Sequence, residues 1–111
     1  MIDKKWIGHA LSASEMTLDR SRLRFFAKAI GETAAQYTDV AAAKAAGYAD
    51  LPAPPTFLFG AELDSGTTYQ LLDLLQVPVT KLLHGEQSFS YHLSACAGDT
   101  VTVQSVIDDI Y

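Results

Sequence analysis

The sequence predicts an α+β domain in which helices precede an antiparallel sheet and pack on one of its faces. Three observations carry that expectation. Leu23, Phe26, Ala27 and Ile30 recur at helical spacing, which puts one apolar face on a segment from about Arg20 to Ile30. Between Leu83 and Leu93, Gln87, Phe89, Tyr91 and Leu93 alternate with His84, Glu86, Ser88, Ser90 and His92, the two-residue period of a strand. After an Ala97-Gly98-Asp99 turn, Thr100 to Ile107 alternates again, with Val101, Val103 and Ile107 on one side.

The first helix has both of its ends written in the sequence. Asp19 is an N-cap whose carboxylate can accept the free N–H groups of the first turn. Gly31 is a C′ residue that can adopt the left-handed conformation. By the same logic Asp39 caps and Gly47 ends a shorter helix from about Val40 to Ala46, whose methyl side chains allow close approach to another element. Leu51-Pro52-Ala53-Pro54-Pro55 cannot be helical, because each proline fixes its own φ and drives the preceding residue towards extended conformations. Thr56-Phe57-Leu58-Phe59 is apolar, but periodicity does not settle its type. Tyr69 to Leu75 has helical spacing, with Leu71, Leu72 and Leu75 available for one face and Pro78 beyond its end. Two long strands make a poor sheet, since an isolated hairpin is marginal in water. The chain is therefore expected either to pair with another copy or to lack strands at its C-terminal end.

A length of 111 residues with 49% hydrophobic and 19% charged residues suits one domain with one core and excludes a disordered chain. A net charge of −5 argues against nucleic acid as the main partner, because phosphate binding needs clustered Lys and Arg. Arg20, Arg22, Arg24 and Lys28 do cluster around the first helix. They read as a solvated helix face or, alternatively, as an anion site for the phosphates of coenzyme A or a carrier protein. Cys96 is the single cysteine, so no internal disulfide is available, and a reducing cytoplasm is the simplest compartment. It has no adjacent His or Lys to activate it. His9, His84 and His92 are too scattered to suggest a metal site, and no cofactor is expected. No signal-peptide pattern or membrane-crossing apolar stretch is present.

Several segments, in order, resemble MaoC-like dehydratases. Phe25-Phe26-Ala27-Lys28-Ala29-Ile30-Gly31-Glu32 resembles the helix and following loop of that family. Tyr37-Thr38-Asp39 with Ala42, Ala43 and Gly47 resembles the next helix. Ala53-Pro54-Pro55-Thr56-Phe57 is similar to the signature of the N-terminal, fatty-acid-synthase-type dehydratase domain. Leu83-His84-Gly85-Glu86-Gln87-Ser88-Phe89-Ser90-Tyr91-His92 is similar to a strand of that subfamily, and Gly98-Asp99-Thr100-Val101 to the turn after it. The resemblance implies a hot-dog fold, a curved antiparallel sheet wrapped around a helix and working as a dimer or pseudo-dimer. It also implies further strands past the point matching Tyr111. The chain thus reads as a single hot-dog domain over 1–111 that is C-terminally incomplete, with an exposed sheet edge favouring tight dimerisation or poor solubility.

The chemistry implied by the family is reversible hydration of trans-2-enoyl thioesters by an Asp and a His that hold one water and shuttle protons. Aligned on Gly31, Glu32 stands where the Asp would be and Tyr37 where the His would be. A phenol is a poor base at neutral pH. The extra methylene of Glu moves the carboxylate by about an ångström, enough to spoil a preorganised site. The resemblance therefore implies a substituted dyad, or else a relocated acid–base pair. Pro54, Pro55, Thr56 and Phe57 are expected to line an acyl pocket, with His84 and Gly85 beside the thioester channel. His84 also reads as a strand residue at a subunit contact.

The leading expectation is an acyl-thioester-binding, non-catalytic half or subunit of an (R)-specific enoyl-CoA hydratase or 3-hydroxyacyl-thioester dehydratase. Its ligand would be an acyl-CoA or acyl-carrier-protein thioester. Its partner would be a second copy or a catalytic hot-dog subunit, with neither nucleic acid nor membrane involved. The alternatives are a stand-alone homodimeric hydratase or thioesterase, and an acyl-CoA-binding module without chemistry.

Overall fold

In the computed structural model, which describes residues 1–111, the Oδ1 of Asp19 accepts the backbone N–H groups of Ser21 and Arg22 at 2.9 and 3.1 Å. Helix α1 (Arg20–Ala29) follows. It ends at Gly31, which takes φ +74°, the left-handed turn that only glycine adopts without steric cost. Asp39 caps α2 (Val40–Ala45) through the N–H of Ala41 at 3.1 Å.

The apolar stretch that periodicity left open is helical. It starts α3 (Phe57–Asp64) directly after the proline segment. The left-handed Gly66 then turns the chain into α4 (Thr67–Leu75), which buries Leu72 and half-buries Leu71 and Leu75. Single turns of 3-10 helix occur at Lys4–Trp6, Ala35–Tyr37 and Val79–Lys81.

The sheet is smaller than the sequence suggests. Strand β1 (Ser14–Thr17) pairs antiparallel with β2 (Thr100–Val103), with Met16 opposite Val101 and Thr17 opposite Thr100. One face turns Met16 and Val101 onto the core. On the other, the Thr17 and Thr100 hydroxyls share a hydrogen bond at 2.8 Å. Isolated bridges extend the pairing, Ala10 to Val106 near the chain ends and Pro52 to Cys96 beside the helices.

The expected strand from Leu83 to Leu93 does not form. These residues form no regular secondary structure, bend at His92 and Leu93 and are mostly exposed, and no backbone hydrogen bond joins them to another segment. Alternation assigns side chains to faces, but a strand also needs a neighbour to accept its N–H groups, and this stretch has none. Phe89 and Tyr91 still lie on one side, stacked with centroids 5.7 Å apart. The molecule is correspondingly long, 52 × 23 × 20 Å. The second alternating run is also shorter than expected, with β2 ending at Val103 although Ile107 is buried.

The core takes one residue from each of the first three helices and two from connecting segments. Leu18 follows β1, Leu23 comes from α1, Ala43 from α2, and Phe57 from α3, with Leu51 joining from the loop. Phe26 meets the Phe57 ring edge-on at 5.3 Å. Leu23 and Ala27 are fully buried, whereas Ile30, expected on the same face, is half exposed because the helix has already ended.

Each guanidinium of the basic cluster is engaged inside the protein. Arg20 pairs with Asp50, Arg22 with Asp64, and Arg24 Nε donates to the Thr38 carbonyl at 2.9 Å. Two of the four cations thus meet carboxylates, while Arg24 and Lys28 pair with none. No helix is long and apolar enough to cross a membrane.

Candidate functional site

The proline segment and the residues before the Gly98 turn form the floor of a cleft. Ala53 N–H donates to the Ala95 carbonyl, and Ala97 N–H to the Leu51 carbonyl, both at 2.8 Å. This two-bond ladder fixes Pro52, Ala53 and Pro54 beside Ala95. Pro54 is fully buried, and its carbonyl accepts the Phe57 N–H at 2.9 Å, which launches α3. Leu58, in the first turn of α3, adds an apolar wall.

Three tyrosines complete the cleft. Tyr37 ends the 3-10 turn before α2. Tyr48 follows α2, anchored by its own N–H on the Ala43 carbonyl at 3.0 Å. Tyr91, half exposed, lines it from the irregular stretch together with Leu93 and Ser94. The cleft is open on one side and its volume is about 200 Å³, below the few hundred Å³ common for drug-sized ligands. No Asp, Glu, Lys, Arg or His lines it. Burial against its neighbours pushes the Tyr91 phenol above its ordinary pKa.

The residues singled out in the sequence are not all brought together. Tyr37, Pro54 and Pro55 line the cleft. Glu32 does not. Its Oε1 accepts the Ala34 N–H at 3.0 Å and closes a local turn. Thr56 sits exposed ahead of α3 without a side-chain cap bond, and Phe57 points into the core. His84 stacks on Phe59 with centroids 5.3 Å apart, and Gly85 is exposed; neither lines the cleft. Tyr48, Leu58 and Tyr91 escaped the sequence reading. Only Tyr91 carried a signal, through its place on the same face as Phe89.

A larger, shallower groove of about 480 Å³ lies between α4 and the chain ends, with Leu11, Leu71, Leu75 and Ile107 in its walls. Its polar groups are Ser105, Glu62, Asp108 and Asp109, and none of the residues expected from the sequence to bind or act on a ligand lies there. The tyrosine cleft is therefore the better candidate despite its smaller size. No three His, Cys, Asp or Glu side chains gather at metal-binding distance. Cys96 is buried and unpaired, with its N–H bound to Asp99 Oδ2 at 2.9 Å.

Comparison with known proteins gives a consistent result. Residues 5–111 match the family model described as the FAS1-like dehydratase domain region. A protein of Streptomyces avermitilis named UPF0336 protein is 36% identical over 110 residues, covering 98% of this chain and 73% of the relative. A UPF0336 protein of Thermobifida fusca is 34% identical over 110 residues, covering 98% of this chain and 72% of the relative. Among solved structures, the C-terminally truncated HadBC (3R-hydroxyacyl-ACP dehydratase) complex of Mycobacterium tuberculosis superposes with a TM-score of 0.71 at 24% identity. The match covers 89% of this chain and 69% of that one. At that identity the likeness is one of fold, and the fold is the α+β hot-dog arrangement with a reduced sheet.

Proposed function

The chain belongs to the FAS1-like dehydratase domain family, and from that premise we propose that it binds acyl thioesters as the non-catalytic half or subunit of a hydratase or dehydratase. One observation carries the reading. The cleft that gathers Tyr37 and the proline segment contains no carboxylate and no imidazole. Hydration of an enoyl thioester needs a base and an acid within hydrogen-bond reach of one water. Glu32 is held in its own turn and His84 rests on Phe59, so neither is directed at the cleft.

The cleft is apolar with hydroxyl groups at intervals, which suits the acyl end of a thioester. Its neutral walls leave the phosphates of coenzyme A or a carrier protein outside, in water. The similar HadBC structure is that of a complex, in keeping with a catalytic hot-dog partner or a second copy here. The cytoplasm is the compartment this reading implies, and free Cys96 suits it.

The test is turnover of crotonyl-CoA and of a longer trans-2-enoyl-CoA by the purified chain, followed at the enoyl absorbance, with thioester binding measured by calorimetry. Binding without turnover is the expected result. Robust turnover by the chain alone would overturn the non-catalytic reading in favour of a stand-alone enzyme, and Glu32, Tyr37 and His84 would be the first residues to change. Absence of binding would overturn the acyl-thioester reading.

A further inference from the structure

We propose that the chain associates head to tail, with the outward face of α1 on one copy seated in the groove between α4 and the chain ends of the next. The two surfaces share no residue, so each copy offers both at once. This contact is independent of the acyl-binding reading.

Charge is unevenly spread over the chain. Half of its eight Lys and Arg residues lie on α1, which holds no acidic residue. Asp50 and Asp64 pair with Arg20 and Arg22, which leaves Arg24 and Lys28 exposed and without a carboxylate. Phe25 stands beside them, 74% exposed. Ser21, four residues before it, and Lys28, three after it, share its face of the helix, opposite buried Leu23 and Ala27. An exposed ring flanked by two cations has the make-up of an interface anchor with a charged rim.

The groove is the complement of that face. Leu11, Leu71, Leu75 and Ile107 supply apolar wall in a space of about 480 Å³. Glu62, Asp108 and Asp109 line it, whereas no Lys, Arg or His does. No ion pair within the protein engages those three carboxylates. A partner seated there must bring apolar surface and cations on one face, as α1 does. Each copy carries a net charge of −5, so two copies attract only where unlike local patches meet. A contact between two different surfaces repeats from copy to copy and does not close about a two-fold axis.

The test uses the full chain and two variants changed at exposed positions. Phe25→Gln with Lys28→Gln strips the α1 face, and Asp108→Lys with Asp109→Lys turns the groove against cations. In sedimentation velocity the weight-average mass of the unmodified protein should grow with concentration beyond that of two chains. Neither variant alone should show that growth. By fluorescence anisotropy the two variants should bind each other at least about tenfold more tightly than either binds itself, since one keeps the groove and the other keeps α1. Should circular dichroism show a disturbed fold in either, the single changes Phe25→Ser and Asp108→Lys carry the same comparison. A mass that does not grow beyond two chains, growth that survives in either variant, or equal self- and cross-binding overturns the proposal.

Discussion

Arg20 and Asp50 meet as a two-point ion pair across 30 residues of chain, with Nε donating to Oδ1 at 3.0 Å and Nη2 to Oδ2 at 2.6 Å. The pair ties the first turn of α1 to the loop that enters the proline floor of the cleft. Asp50 Oδ1 also accepts the N–H of Leu51 at 2.7 Å, which places Leu51 in the core.

This pair should leave a signature in acid. The Arg20 hydrogen bonds, followed by the Leu51 N–H, lower the Asp50 pKa from 3.8 to about 2. A carboxyl whose pKa is lower folded than unfolded stabilises the fold above the unfolded value and loses that contribution as pH falls through the folded one. Stability should therefore decline between about pH 4 and pH 2. Asp50→Asn should be less stable at neutral pH and show a shallower decline over that range in urea titrations. Some slope remains, because Asp19 is also lowered by its bonds to Ser21 and Arg22. An identical acid limb in Asp50→Asn would show that the pair does not contribute.

The core should respond to truncation at its centre. Leu23 is fully buried, and Phe57 is buried between Phe26 and the Arg22 guanidinium. Leu23→Ala should cost about 3 kcal/mol and Phe57→Ala about 4 kcal/mol in chemical denaturation. Either loss is a large fraction of the stability of so short a chain, so the denaturation midpoint should fall markedly. A cost near that of a surface change would mean that Phe57 faces a ligand and not the core.

Gln76 closes α4 in the left-handed region, at φ 55° and ψ 44°. A side chain there carries steric strain that glycine lacks. Gln76→Gly should stabilise the protein by up to about 1 kcal/mol, less the entropy a more flexible unfolded chain retains. Thermal denaturation reads this directly, and a lowered midpoint would contradict it.

Glu32 gives a contrasting prediction. Its Oε1 serves a local turn through the Ala34 N–H, and a glutamine oxygen can accept the same bond. Glu32→Gln should change stability by less than about 0.5 kcal/mol and leave thioester affinity unaltered. A large loss of activity in the assembled enzyme would show that Glu32 acts as an acid or base after all.

What the sequence disclosed follows the range of the forces involved. The helices were legible because their signals are local: Asp19 and Asp39 cap within three residues, and Gly31 and Gly47 turn the chain where the helices stop. Strand β1 was not legible. Ser14-Glu15-Met16-Thr17 offers one apolar side chain, and its partner lies more than eighty residues away, as the 83-residue span between Thr17 and Thr100 shows. In the stretch from Leu83 to Leu93 the opposite held, since the local pattern was clear but no neighbour completes it.

The cleft was legible in part for a related reason. The proline segment announced a rigid turn, but Pro54 and Phe57 are both buried and only the first borders the cleft, a distinction that needs the helix start to be known. Tyr48 and Tyr91 share no motif and are brought together by the fold alone.

The exposed stretch between the Val79–Lys81 turn and Ala95 also makes the molecule easy to nick. A protease adding water across a bond near Gly85 would meet backbone that no internal hydrogen bond shields. The two pieces would not drift apart at once. The later piece would still be zipped to β1 through β2 and held to Leu51 and Ala53 through Ala95 and Ala97. The fold could in that way be reconstituted from two separately made peptides, with the break in the part of the chain that contributes least to the core.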